Sequence, residues 1–284
     1  MSVEVNVKGG AGNQLFQYAY ARSLSLSSNK NISLNVSNYI NSESDSDFFS
    51  RSLFLNGINS ALPLEVNKIE LSLLMRIRRK MSNNYNVKYD KSKSFEGNWS
   101  ELKRDGYWQS PLYFNPFFNI IKNEISVKSN FLNTGYFKAK NSIGSNTVCI
   151  HLRRGDYLLN SVEKIYGLCS RKYFESSINR LKNLYDANDF LVFTDDVDAA
   201  VVLFEGMPGI RFAYDFKLNL WEEFELMRSC CHFIISNSTF SWWAAFLETN
   251  TNFNKTCIAP FPWFNDDNHY CNSLYLPNWF RVAK

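Results

Sequence analysis

The run His151-Leu-Arg-Arg-Gly-Asp-Tyr157 gathers an imidazole, two guanidiniums and a carboxylate in one short stretch. Arginine presents a planar fork of donors that suits phosphate oxygens, so the chemistry on offer is recognition of a phosphate-bearing ligand. Two more runs carry chemistry. Phe190 to Asp196 is apolar until it ends in Asp195 and Asp196. A carboxylate can accept the adjacent N1–H and N2–H of guanine, an edge that adenine lacks. Ser236-Asn-Ser-Thr239 precedes Phe240 and an apolar helical pattern. Hydroxyls beside the N–H groups of a helix start make a diphosphate cradle. Plainer readings stand beside each: an ion pair of the arginines with Asp156, helix capping by Asp195 or Asp196, and N-capping by Ser238 or Thr239. Asp196-Val-Asp198 also has the form of a metal-binding pair. Asp198 should already lie in a helix, however, and arginines are at hand to neutralise phosphate.

The elements that must position these residues are legible. Val148, Ile150 and Leu152 alternate with Cys149, His151 and Arg153, the two-residue period of a strand. His151 and Arg153 then share one side and Arg154 takes the other, before Gly155 and Asp156 break the run. The pattern predicts strands at 147–152, 190–194, 210–214, 232–236 and 256–259. It predicts helices at 170–185, 197–204, 219–230 and 239–249, the first with Phe174, Ile178, Leu181 and Tyr185 on one face and Ser170 as N-cap. Strands alternating with helices imply a parallel sheet. The three chemical runs fall at carboxyl ends of its strands, where open α/β sheets bind ligands. Cations, a purine-reading carboxylate and an anion cradle together favour a nucleoside-diphosphate site.

The first half is less regular. Val3, Val5 and Val7 read as a strand, Gly9 to Gly12 as a tight turn, and Asn13 to Arg22 as a helix. The third glycine of a dinucleotide fingerprint is replaced by Leu15, and no GxxxxGK[ST] occurs, so a P-loop is excluded. Asn41 to Asp47 reads as a loop. Leu71 to Met81 reads as a short helix whose Arg76, Arg78, Arg79 and Lys80 form a solvated face or touch a membrane. Gly106 to Phe114 reads as an aromatic strand and a proline-marked turn, Phe117 to Ile125 as a helix, and Lys138 to Asn146 as a polar hinge. Domains at 1–140 and 141–284 follow.

Composition agrees. A chain of 284 residues, 45% hydrophobic and 20% charged, fits two soluble globular domains. A net charge of +4 is too small to imply nucleic acid, but suits an anionic small ligand or transient contact with an anionic membrane face. No apolar run reaches the roughly 18 residues of a spanning helix, and the first residues lack a signal-peptide core. Six cysteines without CxxC spacing read as reduced core residues of a cytoplasmic protein. Three histidines without ligand spacing give a metal site no support.

The motifs KGGAGNQLFQYA (8–19), GYWQSPLYF (106–114), HLRRGDY (151–157), FTDD (193–196) and SNSTFSWWAAFL (236–247), in that order, resemble glycosyltransferase family 11, the GDP-fucose-dependent α1,2-fucosyltransferases of bacterial polysaccharide synthesis. Pro111-Leu112 departs from the family's Glu-Lys. The resemblance implies a GT-B fold: two Rossmann-like domains facing a cleft, with the donor held mainly by the second. It implies inverting transfer of L-fucose from GDP-β-L-fucose to the 2-hydroxyl of a galactose, without a cofactor or an essential metal. Arg153 would bind the β-phosphate, His151 the diphosphate or ribose, and Arg154 the donor or its own loop. Asp195 or Asp196 would read guanine, and Ser236, Asn237, Ser238, Thr239 and Phe240 would cradle the nucleotide. Asn13 and Gln14 would approach from the N-terminal domain, and Asp156 would be the base or a brace. The acceptor would be a lipid-linked oligosaccharide such as an O-antigen unit, met at the inner membrane face. The alternatives are a transferase for another nucleotide sugar and a non-catalytic nucleotide-sugar or glycan-binding module.

Overall fold

The computed structural model describes residues 2–28, 30–40, 52–66, 105–158, 160–249, 254–265 and 272–284. The expected loop at 41–47, the basic helix with Arg76 to Lys80, and Cys271 lie outside them. The chain divides into two units, Met1–Asn56 with Ser60–Glu124, and Gly57–Asn59 with Ile125–Lys284.

In the first unit β1 (Ser2–Asn6), β2 (Asn31–Asn35) and β3 (Leu64–Glu65) pair in parallel, in that order. Val3, Val5 and Val7 are buried, as their alternation requires. The helix Ala11–Ser27 crosses from β1 to β2 and follows the glycine turn. Gly9 adopts φ +86°, and a Cβ there would stand 2.8 Å from Asn13 Nδ2. Gly106 to Phe114 is not a strand: Trp108 takes φ +45° and stacks on Tyr20, ring centroids 4.1 Å apart, and Pro111–Tyr113 form a 3₁₀ turn capped by Ser110. Burying Trp108 against Tyr20 outweighs the extended preference of the aromatic run.

The second unit is a six-stranded parallel sheet of order β6-β5-β4-β7-β8-β9. Its strands are β4 (Thr147–Leu152), β5 (Asp189–Thr194), β6 (Ile210–Phe212), β7 (His232–Ile234), β8 (Cys257–Phe261) and β9 (Trp279–Ala283). Helices Arg171–Tyr185, Val197–Phe204, Leu220–Ser229 and Thr239–Thr249 match the sequence pattern within a residue or so at each end. Ser170 caps the first, accepting from Tyr173 N–H at 3.3 Å. Its buried Tyr173, Phe174, Ile178 and Leu181 pack on Val148, Ile150 and Phe190. Strand β9 was not visible in the sequence.

The division between units falls at Glu124/Ile125, ahead of the polar segment Lys138–Asn146. The start of that segment is helical, within Thr134–Asn141, and Arg211 donates to the Ser142 carbonyl at 3.3 Å. Gly57–Asn59 reach into the second unit. Lys128 N–H donates to Gly57 at 2.7 Å, Asn59 N–H donates to Ser126 at 3.1 Å, and Ile58 bridges Val127. A Cβ on Gly57 would lie 2.2 Å from Trp221 Nε1. Trp221 packs on Phe131 at 4.8 Å, which limits its retreat. Gly57→Ala should therefore cost about 1–3 kcal/mol by overpacking, read as a lower urea midpoint at constant slope.

Candidate functional site

The strand order fixes where a ligand belongs. From β4 the chain steps one way to β5 and β6, then returns to the other side of β4 for β7, β8 and β9. The direction reverses between β4 and β7, and the crevice above that reversal is the binding position of a doubly wound sheet. The segments that follow β4 and β7 carry Arg153–Tyr157 and Ser236–Ser238.

Ser236 joins them. Its N–H and hydroxyl both donate to the His151 carbonyl, at 3.1 and 2.8 Å, and its oxygen accepts Arg153 N–H at 3.1 Å. The hydroxyl is spent on backbone, so Ser236 ties the two segments together. Asn237 behaves alike: Nδ2 donates to the carbonyls of Tyr166 (2.7 Å) and Trp263 (3.0 Å), while its own carbonyl accepts Tyr157 OH at 2.9 Å. Ser238 is buried, and the ladder of helix Thr239–Thr249 begins with Trp242 N–H donating to its carbonyl at 3.0 Å. The amides of that first turn form the positive end of the helix dipole. Asn237→Ala would leave buried carbonyls underused and should cost about 1–3 kcal/mol, measurable by denaturant titration.

Parallel pairing sets Leu152 beside Thr194, so the next residues of the two strands meet. Arg153 Nη1 lies 2.6 Å from Asp195 Oδ2, and Arg154 N–H donates to Asp195 Oδ1 at 2.9 Å. Gly155 must be small there, since a Cβ would stand 2.4 Å from Asp195 Oδ2. Asp196 caps the next helix, accepting Ala199 N–H at 3.0 Å, and its other oxygen lies 3.5 Å from Arg154 Nε. Of the readings left open by the sequence, capping is thus realised by Asp196, while Asp195 braces the basic loop. Asp198 lies in the first helical turn, as its spacing suggests. Asp156 belongs to the 3₁₀ turn Gly155–Leu158, and its side chain lies outside the described residues.

His151 is 7% exposed, and its Nδ1 is buried without a hydrogen-bond partner among the described residues. Burial, with the Arg153 guanidinium beside it, pushes the imidazole down to about 3, so the ring is neutral. Its ring faces Phe240 at 6.3 Å, and Phe240 packs on Phe224 at 5.5 Å. Phe224 follows Glu223, a residue that no motif in the sequence singles out. Burial, with Asp195 next to it, pushes the Glu223 carboxyl up to about 7.

Asn13 and Gln14 belong to the first unit. Asn13 Oδ1 accepts Gln109 Nε2 at 2.7 Å. Gln14 is fully buried, accepts Phe54 N–H at 2.7 Å and donates to the carbonyls of Ser52 (3.0 Å) and Gly9 (3.3 Å). Its amide therefore fastens loops. Among the described residues no helix is long and apolar enough to cross a membrane.

The model of glycosyl transferase family 11 matches residues 2–283. An Escherichia coli alpha-1,2-colitosyltransferase is 29% identical over 303 aligned residues, covering 100% of both chains. The E. coli O-antigen biosynthesis glycosyltransferase WbnK is 26% identical, covering 97% of this chain and 99% of its own. Among solved structures, the NodZ alpha-1,6-fucosyltransferase co-crystallized with GDP superposes with a TM-score of 0.52 at 13% identity, over 87% of this chain and 92% of its own. That likeness gives the fold: α/β of the GT-B type, with parallel sheets.

Proposed function

Because the chain belongs to glycosyl transferase family 11, we propose that it is an inverting α1,2-fucosyltransferase, moving L-fucose from GDP-β-L-fucose to the 2-hydroxyl of a galactoside. The observation that carries this is Arg153, braced by Asp195 at the switch point and joined through Ser236 to the helix start at Thr239. A guanidinium and the positive end of a helix there meet the charge that GDP acquires as it leaves. The acceptor oxygen closes on the anomeric carbon from the face opposite the diphosphate. The bond to the phosphate oxygen breaks, and the transition state is oxocarbenium-like. The acceptor's proton passes to a general base, for which Asp156 is the motif's own carboxylate. Protein cations take the place of a metal, and the acceptor is a lipid-linked O-antigen unit met at the cytoplasmic membrane face.

A second reading is favoured by one finding. One full-length relative is a colitosyltransferase, and colitose is fucose without its 3-hydroxyl. Purified protein with a β-galactoside acceptor should release GDP from GDP-fucose, unchanged by EDTA. Faster release from GDP-colitose would move the assignment to that sugar, and from another nucleotide sugar to a different transferase. GDP binding without turnover over an acceptor panel would point to a binding module. Loss of turnover in EDTA would return attention to Asp196 and Asp198.

A further inference from the structure

We propose that Glu223 reads the guanine edge of the donor nucleotide, in place of Asp195 or Asp196; this rests on the reading of the site as one for a GDP-sugar. Both aspartates are occupied. Asp195 gives one oxygen to Arg153 Nη1 and the other to Arg154 N–H. Asp196 gives one to Ala199 N–H and holds the other by Arg154 Nε. To take up guanine, the first would release the phosphate-binding arginine and the second would uncap its helix.

Glu223 carries no such duty. Among the described residues its carboxyl has neither a hydrogen bond nor an ion pair, and the group acting on it is the like charge of Asp195. Its neighbour Glu222 is fully buried and committed, accepting Asn133 N–H at 2.7 Å and Asn219 N–H at 2.9 Å. A half-buried carboxyl with no partner among the described residues is open to a ligand that supplies the donors. It stands in the first turn of Leu220–Ser229, next in sequence to Phe224, which packs on Phe240, the residue facing His151. His151 Nδ1 is a buried polar atom without a hydrogen-bond partner among the described residues at that place. The two complement guanine. A carboxylate accepts N1–H and N2–H together, and a neutral imidazole offers one N–H to the acceptors O6 or N7.

The test is calorimetric binding of GDP, inosine diphosphate and UDP to the wild type and to Glu223→Gln. Inosine diphosphate lacks only the N2 amine. The wild type should prefer GDP over inosine diphosphate by about 10–100-fold, the worth of one hydrogen bond to a charged group. In Glu223→Gln, GDP should weaken by a similar factor and the preference should fall to near unity. Gln matches the neutral carboxyl in shape, and a thermal melt checks its fold. Asp196→Asn should keep the wild-type preference. A variant that binds GDP as the wild type does while kcat falls would make Glu223 a base and overturn the proposal. Wild-type indifference between GDP and inosine diphosphate would overturn it without any variant. Wild-type indifference between GDP and UDP would take down the GDP-sugar reading itself.

Discussion

Arg153→Ala should lower kcat about 10²–10³-fold with GDP-fucose, the cost of losing a preorganised donor to developing charge. Arg153 is one hydrogen bond from Ser236 through its backbone and one ion pair from Asp195 through its side chain, so its fork is fixed before substrate arrives. Such preorganisation costs no rearrangement at the transition state. Alanine also strips Asp195 of its counter-ion, leaving a bare carboxylate at the proposed diphosphate site, so KM should rise as well. Arg153→Lys keeps the charge and loses the fork, and should fall between the two. Stability should hardly change, because the side chains of the pair are 30% and 27% exposed and such pairs contribute little. Single-turnover rates on folded variants decide the matter. A folded Arg153→Ala near the wild-type rate would remove Arg153 from the chemistry.

Why some of this was legible and some not follows from the range of the forces involved. Strand and helix positions in the second unit depend on local periodicity, and 147–152 and 197–204 emerge residue for residue. The order of the strands in the sheet depends on contacts far apart in sequence, so the switch point could be expected but not drawn. Residue types announced that the loops after β4, β5 and β7 carry chemistry. They could not announce which polar groups are consumed by the fold. Gln14, Ser236 and Asn237 all find partners 26 to 85 residues away. Glu223 was hidden for the opposite reason. In an amphipathic helix a glutamate beside Glu222 and Glu225 reads as solvated surface, and only its tertiary surroundings, with the like charge of Asp195, mark it out. The hop of Gly57–Asn59 into the second unit had no local signal except a glycine.

The second large effect should appear in the pH profile. For GDP-fucose, kcat/KM should fall about tenfold per pH unit below about 7, reaching roughly a hundredfold loss at pH 5, and Glu223→Gln should remove that limb. A protonated carboxyl keeps one acceptor and turns a donor toward the guanine N–H groups, so the donor sugar nucleotide selects the ionised form. The charged groups to be considered are Asp195, which raises Glu223, and Arg153, which pairs with Asp195. His151, near 3, is neutral throughout the window and adds no limb there. Stability of the unliganded protein must run the other way. A carboxyl raised in the fold favours the native state fully below its unfolded value near 4.3, and that contribution, of order a few kcal/mol, is lost as pH rises to about 7. Unfolding midpoints without ligand should therefore decline from pH 5 to 7, while the increment added by saturating GDP-fucose grows. In Glu223→Gln both trends should flatten together. If both slopes survive in that variant, another group owns the titration and Glu223 is not the residue that meets the base.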